Sequence, residues 1–358
     1  MPSTNSRSRR RTVRFSARWR GSFACLLACR AAAVVGQDSP PPPAAVAPAD
    51  PAPAAAAVQR LKQLETSDGI QVAAWYYPAQ STGAKAGGEP PAIVILLHDL
   101  DGSHATVEPL AKALQQRGIA VVAPDLRGHG ASTSRGPSAT AGEPPAARVL
   151  KKADLDSIVR SGGGQVRDQA LVRGEVEVVH GWIKGLAARG GCDPDRLFVV
   201  GSGLGATLAA HWVVADASWP TLASGPQGGA VRGLVLVSPA WTTRGFSVSP
   251  VLGAEPIARS LPLLVIAGTR DDDAVRLFTQ LKRQRPDAWY EKRAGQAAAR
   301  SPKLQADGPT LYLMELDSPQ SGDGLASQRS ADPRKAAGDP AGLIAGFIGT
   351  VSAPPAAP

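Results

Sequence analysis

Residues 199–205 read Val-Val-Gly-Ser-Gly-Leu-Gly, after the apolar pair Leu197-Phe198 and before an apolar, helix-forming run. A serine on a tight turn between a strand and a helix is typical of nucleophilic catalysis, in which a neighbouring base removes the hydroxyl proton. Ser202 and Gly203 are the two candidates for the exposed central position of this turn. Only Ser202 could supply a hydroxyl there.

Such a serine needs an imidazole as its base and a carboxylate that orients the imidazole. A carboxylate follows a strand-like apolar run at Asp271, with Asp272 and Asp273 as alternatives. No histidine lies beyond His211. The histidines of the chain are at positions 98, 104, 129, 180 and 211.

Short apolar runs alternate with helical patterns along the chain, as in parallel strands joined by helices. The first run, Ala92–Leu97, is apolar throughout and is typical of a strand covered on both faces. Ser103 is the expected N-cap of the next helix, and Gly118 its stop. The other predicted central strands are 119–123, 197–200, 233–237, 263–267 and 311–316, and a helical pattern covers 172–186.

Other segments have a different character. Asp68-Gly69 and residues 70–77 predict a turn and an antiparallel edge strand. Residues 132–164 and 285–308 are polar and rich in Gly, Pro and Ala, so both are predicted insertions, the first a short lid. Ala206–Ala215 is apolar nearly all round, which predicts a helix in the middle of the domain.

Four motifs in this order resemble the α/β-hydrolase family across roughly residues 65–351. The resemblance implies an α/β fold with a mostly parallel sheet, helices on both faces and a short lid insertion, but it does not by itself imply activity. The motifs are His98-Asp-Leu-Asp-Gly102, Pro124-Asp-Leu-Arg-Gly-His-Gly130, Val199-Val-Gly-Ser-Gly-Leu-Gly-Ala206 and Gly268-Thr-Arg-Asp271.

In this family the nucleophile is the central residue of Gly-x-Ser-x-Gly. The two glycines with that spacing are Gly201 and Gly205, so the nucleophile position holds Gly203, and Ser202 precedes it. A register centred on Ser202 would need glycine at positions 200 and 204, where valine and leucine stand. The Ser202 side chain is therefore expected to point away from the cleft.

The family resemblance also implies a histidine after the last strand, and this chain has none there. Asp271 is left as a relict acid without its imidazole. Asp99 replaces the glycine usual after His98 and would oppose an oxyanion, although the N–H groups of Leu100 and Leu204 could still form part of an oxyanion hole. The expected cleft residues are His98, Asp99, Leu100, Ser202, Gly203, Leu204, Trp241 and Asp271.

The segment Gly201–Ala206 also matches Gly-x-Gly-x-x-Gly/Ala, a turn that binds dinucleotides. That fingerprint needs an acid at the end of the next strand to hold the ribose, and Val237-Ser-Pro-Ala-Trp241 supplies none. A small anion at this helix start is a second alternative.

A metal site built from His98, Asp99, Asp101 and Asp125 is a further alternative, but no closely spaced histidine pair supports it. No metal or cofactor is therefore predicted. His98 and His129 are expected to be hydrogen-bonded loop residues. His104 is expected at the surface, and His180 and His211 in helix packing.

The first thirty residues resemble a bacterial export signal, because an arginine-rich stretch precedes the apolar run 23–35 and small residues follow. Ser8-Arg9-Arg10 resembles a twin-arginine signal. Leu26-Leu27-Ala28-Cys29 resembles a lipoprotein cleavage box, which would attach the protein to a membrane through a lipid on Cys29. The alternative is a disordered basic tail.

The 358 residues carry a net charge of +9, but eight arginines lie among the first thirty residues without an acid. The remaining 31 basic and 30 acidic residues nearly cancel, so a nucleic-acid partner is not predicted. Cys192 is left alone outside the signal and is expected to be a small apolar residue. The predicted organisation is a signal at 1–36, a Pro/Ala-rich linker at 37–57, one domain at 58–351 and a disordered tail at 352–358.

These patterns predict an exported protein, periplasmic, envelope-bound or extracellular, whose hydrolase-like domain lacks the nucleophile and the histidine. It would be a pseudoenzyme that binds a small molecule or protein, or a structural protein of the envelope. The alternative is a weak or atypical hydrolase of ester or acyl substrates.

Overall fold

The computed structural model describes residues 57–80, 89–136, 148–149, 174–223, 225–304, 308–330 and 338–353. All of them belong to one unit, Ala52–Pro358. The predicted signal, nearly all of the predicted linker, most of the predicted lid and residues 354–358 of the predicted tail lie outside the described residues.

The described elements alternate between strands and helices along most of the chain. The strands are β1 (Gln59–Arg60), β2 (Leu64–Glu65), β3 (Ile70–Val72), β4 (Ala74–Tyr77), β5 (Ile93–Leu97), β6 (Ala120–Pro124), β7 (Ser134–Arg135), β8 (Arg148–Val149), β9 (Leu197–Ser202), β10 (Thr221–Leu222), β11 (Gly225–Pro226), β12 (Val231–Val237), β13 (Thr242–Thr243), β14 (Phe246–Ser247), β15 (Leu263–Ala267), β16 (Trp289–Lys292), β17 (Ala299–Arg300) and β18 (Leu311–Glu315). The α-helices are α1 (His104–Gln116), α2 (Glu175–Ala187), α3 (Leu204–Ala217), α4 (Asp272–Gln284), α5 (Gly322–Ala326) and α6 (Pro340–Ser352).

Within the described residues, ten strands form a sheet in the order β1-β4-β6-β5-β9-β12-β15-β18-β16-β17. Strands β6 to β16 in this order pair in parallel, whereas β4 and β17 pair antiparallel. Each of the six predicted central strands is present within two residues of its expected bounds. The carboxyl ends of these strands therefore meet at one edge of the sheet, where Ser202 and Gly203 follow one another.

Hydrophobic cores cover both faces of the sheet. Alternate residues of β5 point to opposite faces, so Ile93 and Ile95 pack with the cluster under α2, α3 and α4, while Val94 packs with the cluster under α1 and α6. Helix α3 is buried from Leu204 to Asp216, as its apolar composition predicts. These observations confirm the predicted α/β fold with a largely parallel sheet.

Two sequence expectations need correction. Residues 70–77 are not one edge strand: β3 joins a small separate sheet, and β4 pairs with β6 while β1 lies outside it. Residues 72–77 are all apolar or aromatic, so the sequence pattern hides the change of sheet at Ala73. The segment 285–308 is not simply an insertion, because β16 and β17 extend the main sheet beyond β18.

Ser103 caps α1 as predicted, since its side chain accepts a hydrogen bond from the N–H of Ala105. Cys192 is a buried free thiol, and burial raises its pKa to about 11. Among the described residues, none of the helices combines the length and the hydropathy needed to span a bilayer.

A buried ion pair fixes the loop that follows β6. The guanidinium of Arg127 donates to Glu175 at the start of α2 at 2.7 Å and to Asp68 at 3.0 Å, and only 3% of the Arg127 side chain is exposed. Asp68 lies in the turn between β2 and β3, so this one cation joins the small sheet, α2 and the β6 loop.

We expect Glu175→Gln to lower the free energy of unfolding by about 3 kcal/mol, because it leaves the buried Arg127 charge without its closest counter-charge. Urea denaturation followed by circular dichroism measures this loss. Glu108→Gln is the matched control, since Glu108 is an exposed helical carboxylate paired with Lys112, and its loss should cost less than about 0.5 kcal/mol. Equal effects of the two substitutions would contradict a structural role for the buried pair.

Candidate functional site

The turn between β9 and α3 places Gly203 at its apex. Gly203 has φ 51° and ψ −116°, a conformation that residues with a Cβ rarely adopt, and its N–H donates to the carbonyl of Val237 at 3.0 Å. A Cβ on Gly201 would overlap the carbonyl of Gly205, so these two glycines allow the close approach of strand and helix. The turn thus has the backbone that presents a nucleophile, and its central residue has no side chain.

Ser202 is buried at the end of β9, with 1% of its surface exposed. Its hydroxyl donates to the carboxylate of Asp323. The hydroxyl also lies 3.4 Å from the carbonyl oxygen of Leu97. It serves as a structural hydrogen-bond donor in the geometry observed.

The carboxylate of Asp99 lies directly against the turn. Its Oδ1 accepts a hydrogen bond from the N–H of Leu204 at 2.8 Å and another from the N–H of Leu100 at 2.6 Å. These are the two donors that the family resemblance assigns to an oxyanion hole. Both are present, but they bind an anion that belongs to the chain itself.

Two glycines from different segments make room for this carboxylate. A Cβ on Gly203 would overlap the Asp99 carboxyl group, and so would a Cβ on Gly322, the first residue of α5. Both glycines have positive φ, 51° and 54°. The space that a side chain at position 203 would occupy is therefore filled by Asp99.

The environment of Asp99 disfavours its charge. Burial is the main cause that raises its pKa, and the nearby carboxylates of Asp323 and Asp101 raise it further. The hydrogen bonds from Leu204 and Leu100 act in the opposite direction. The two N–H groups therefore bind a carboxylate that is more readily protonated than an ordinary aspartate.

Asp323 joins three elements around this site. Its carboxylate accepts hydrogen bonds from the N–H of Asp99 at 2.8 Å, from the hydroxyl of Ser202, and from the hydroxyl of Thr106 on α1. It lies on α5, in the segment after the last central strand where the family resemblance calls for a histidine. Sequence reasoning missed this role, and the signal that could have shown it is the helix-starting Ser-Gly-Asp that ends at residue 323.

Asp271 lies at the start of α4 without an imidazole partner. Its Oδ2 accepts from the hydroxyl of Ser238 at 2.5 Å and from the N–H of Gly268 at 2.7 Å. Ser238 follows β12 and has an unusual φ of 44°. The Asp271 carboxylate, which the family resemblance assigns to orienting a catalytic histidine, accepts hydrogen bonds from Ser238 and from Gly268 in its own loop.

Trp241 stands further along the same edge of the sheet. Its backbone N–H donates to the carboxylate of Asp273 at 2.9 Å, and its ring lies 3.8 Å from the guanidinium of Arg276. Asp272 is the first residue of α4. The structure thus joins His98, Asp99, Leu100, Ser202, Gly203 and Leu204 into one site, whereas Trp241 and Asp271 belong to a neighbouring group of contacts.

The loop histidines bind backbone groups. His98 accepts from the N–H of Leu126 through Nε2 at 3.0 Å, so its Nδ1–H donates to the carbonyl of Asp99 at 2.7 Å. Burial lowers the pKa of His98, which keeps this imidazole neutral. His129 has the same pattern, accepting from the N–H of Asp101 at 3.3 Å and bonding to the carbonyl of Arg127 at 3.1 Å.

The other histidines are also engaged away from Gly203. His104 is half-buried rather than superficial, because it stacks on Trp75 and bonds to the buried carboxylate of Asp125 at 3.0 Å. That stacking partner comes from a distant strand, so no local pattern predicts it. His180 and His211 pack in helices as expected, each with its ring against an aromatic side chain.

Within the described residues, no three side chains of His, Cys, Asp or Glu are grouped in a way that could hold a metal ion. The start of α3, which the dinucleotide and anion alternatives would both use, already has the Asp99 carboxylate on its first N–H group. The geometry therefore provides a filled anion position at the place where a substrate oxygen would bind in a hydrolase.

Residues 94–346 match the family model described as the alpha/beta hydrolase family. This match covers more than half of the chain, and it agrees with the sheet order and with the turn at Gly203. The chain belongs to the α/β-hydrolase family. No curated protein sequence gave a significant match.

Several solved structures are similar to this chain at low sequence identity. The protein TT1662 from Thermus thermophilus is 17% identical over 84% of this chain and 100% of its own, with a TM-score of 0.44. Esterase 2 from Thermogutta terrifontis, phosphoramylated by tabun, is 16% identical over 84% and 97%, with a TM-score of 0.46. Dienelactone hydrolase from Anabaena variabilis is 15% identical over 81% and 97%, with a TM-score of 0.40. Likeness at this level says nothing about the activity of this chain.

We expect Asp323→Ala to lower the free energy of unfolding by at least about 2 kcal/mol, because it leaves the buried Ser202 hydroxyl and the Asp99 N–H without their acceptor. Chemical denaturation gives the value. Asp317→Ala removes an exposed carboxylate from the connection between β18 and α5 and should change stability by less than about 0.5 kcal/mol. If the two variants are equally stable, Asp323 does not hold the three elements together.

Proposed function

We propose that this chain is an exported α/β-hydrolase homologue that does not perform Ser-His-Asp hydrolysis and acts as a binding protein or as a protein of the cell envelope. The observation that carries the proposal is the position of the Asp99 carboxylate. It occupies the space that a side chain at Gly203 would need, and it accepts hydrogen bonds from the N–H groups of Leu100 and Leu204.

The magnitudes support the loss of hydrolysis. Removing the nucleophile or the base of a catalytic triad costs about 10⁶-fold in turnover in a well-studied protease. The residual rate of about 10³–10⁴ over water depends on the oxyanion hole and on binding. Here the Asp99 carboxylate already accepts the hydrogen bonds of the Leu100 and Leu204 N–H groups, and its negative charge would repel a developing oxyanion. The residual rate from an oxyanion hole is therefore also expected to be absent.

The weak-hydrolase alternative would need another activated hydroxyl. Ser238 bonds to Asp271, and Ser202 bonds to Asp323. A carboxylate is a poor base for a serine hydroxyl, because its pKa is far below that of the alcohol. Ser202 is also buried. Neither pair therefore favours the alternative.

The enzymatic half of the proposal is tested with 4-nitrophenyl acetate and a fluorophosphonate probe. We expect no hydrolysis above the buffer rate and no labelling of the wild-type protein. The double variant Asp99→Gly with Gly203→Ser restores both family residues at the turn, yet it should remain unlabelled because no imidazole is supplied. Asp271→Ala is the control: hydrolysis by the wild-type protein that this variant abolishes would refute the proposal.

The export half rests on residues 1–36, whose arginine-rich start and apolar run are typical of a signal. Fused to a phosphatase that is active only outside the bacterial cytoplasm, residues 1–57 should give active reporter. The matched control, in which the phosphatase is fused to a segment of the chain that starts at Val58 and so lacks residues 1–57, should give no active reporter. Cys29→Ala should abolish incorporation of labelled palmitate if Cys29 carries the lipid. An inactive reporter in both fusions would contradict export.

A further inference from the structure

A cavity of about 370 Å³ lies at the amino-terminal ends of β5, β6 and β9. Because these strands are parallel, it is at the opposite edge of the sheet from Gly203. Its apolar lining includes Pro91 before β5, Ile119 before β6 and Ile348 on α6. Cavities that bind small molecules begin at about 300 Å³, so this one is large enough for a small organic ligand.

Arg196 lines this cavity and has unused hydrogen-bonding capacity. Its Nε is buried and has no hydrogen-bond partner in the described part of the chain. Its Nη1 lies 3.8 Å from the carboxylate of Glu89, which is beyond hydrogen-bonding distance, and the Glu89 side chain is 88% exposed. Because protein covers this Nε, a ligand in the cavity would meet the outer Nη groups of Arg196 and not the Nε.

The charges around the cavity favour a singly charged ligand. Arg117 also lines it, and its guanidinium lies 3.8 Å from the carboxylate of Asp339. Arg329 lies close enough to interact with both Asp339 and Arg117, so three guanidinium groups stand near two carboxylates. A dianion such as a phosphate monoester would bring more negative charge than these groups can balance, whereas one carboxylate matches the planar N–H groups of a guanidinium.

We propose that this cavity binds a monocarboxylic acid with a small apolar body. The carboxylate would accept from the Nη N–H groups of Arg196, and the apolar body would pack on Pro91, Ile119 and Ile348. This site is separate from the turn at Gly203, so its occupancy does not depend on whether the protein hydrolyses esters.

The test uses the full chain and 4-phenylbutyrate, with 4-phenylbutylamine as a ligand of nearly the same shape and opposite charge. Isothermal titration calorimetry should give saturable binding of the acid, and binding of the amine should be at least about tenfold weaker. Arg196→Gln should weaken binding of the acid by at least about tenfold, because it removes charged hydrogen bonds. Arg232→Gln, at an exposed arginine of β12 outside the cavity, should leave the affinity unchanged.

A second pair of variants tests the location without removing a charge. Gly349 lines the cavity and Gly346 does not, yet both are on α6 and a Cβ on either would meet no atom within 4 Å. Leucine favours a helix more than glycine does, so neither substitution should unfold α6. Gly349→Leu should weaken binding of 4-phenylbutyrate by at least about tenfold, and Gly346→Leu should not.

Three outcomes would overturn this inference: no saturable binding of the acid, equal affinity for the acid and the amine, or unchanged affinity in both Arg196→Gln and Gly349→Leu. An active esterase would refute the proposed function and leave these binding results unaffected. Absence of ester hydrolysis by the wild-type protein, together with lost binding of 4-phenylbutyrate in Gly349→Leu, would support both the proposed function and this inference.

Discussion

One pair of hydrogen bonds determines what the cleft of this protein can do: those from the N–H groups of Leu100 and Leu204 to the Asp99 carboxylate. An oxyanion hole works because its donors are directed at a position that stays empty until the substrate oxygen arrives. In this chain the Asp99 carboxylate fills that position in the folded structure.

The neighbouring residues accommodate the Asp99 carboxylate in several independent ways. Gly203 and Gly322 leave the space that the Asp99 carboxylate needs, and Asp323 holds the backbone of Asp99 as well as Ser202. The like charges of Asp99 and Asp323 add to the effect of burial, so Asp99 ionises less readily than usual. A serine at position 203 would therefore overlap the Asp99 carboxyl group.

Much of the fold was predictable because each central strand is a continuous apolar run and each helix next to it has an apolar face. The place of Gly203 at the apex of the turn was also predictable, from the spacing of Gly201 and Gly205. The roles of Asp323 and Ser238 were not, because each depends on a hydroxyl or carboxylate brought together across 33 or more residues by the sheet. The strand β16 was hidden for a similar reason: its polar residues carry no strand pattern, and its pairing with β18 provides the order.

Amide resonances of Leu100 and Leu204 give the most direct test of the central contact. In a pH titration of ¹⁵N-labelled protein, both N–H signals should shift together, with a common midpoint above the ordinary pKa of aspartate, because both groups bind the carboxyl group of Asp99. The same two shifts should be absent in Asp99→Asn. If the two signals do not respond to pH, or if they titrate unchanged in Asp99→Asn, the carboxylate does not occupy the oxyanion position.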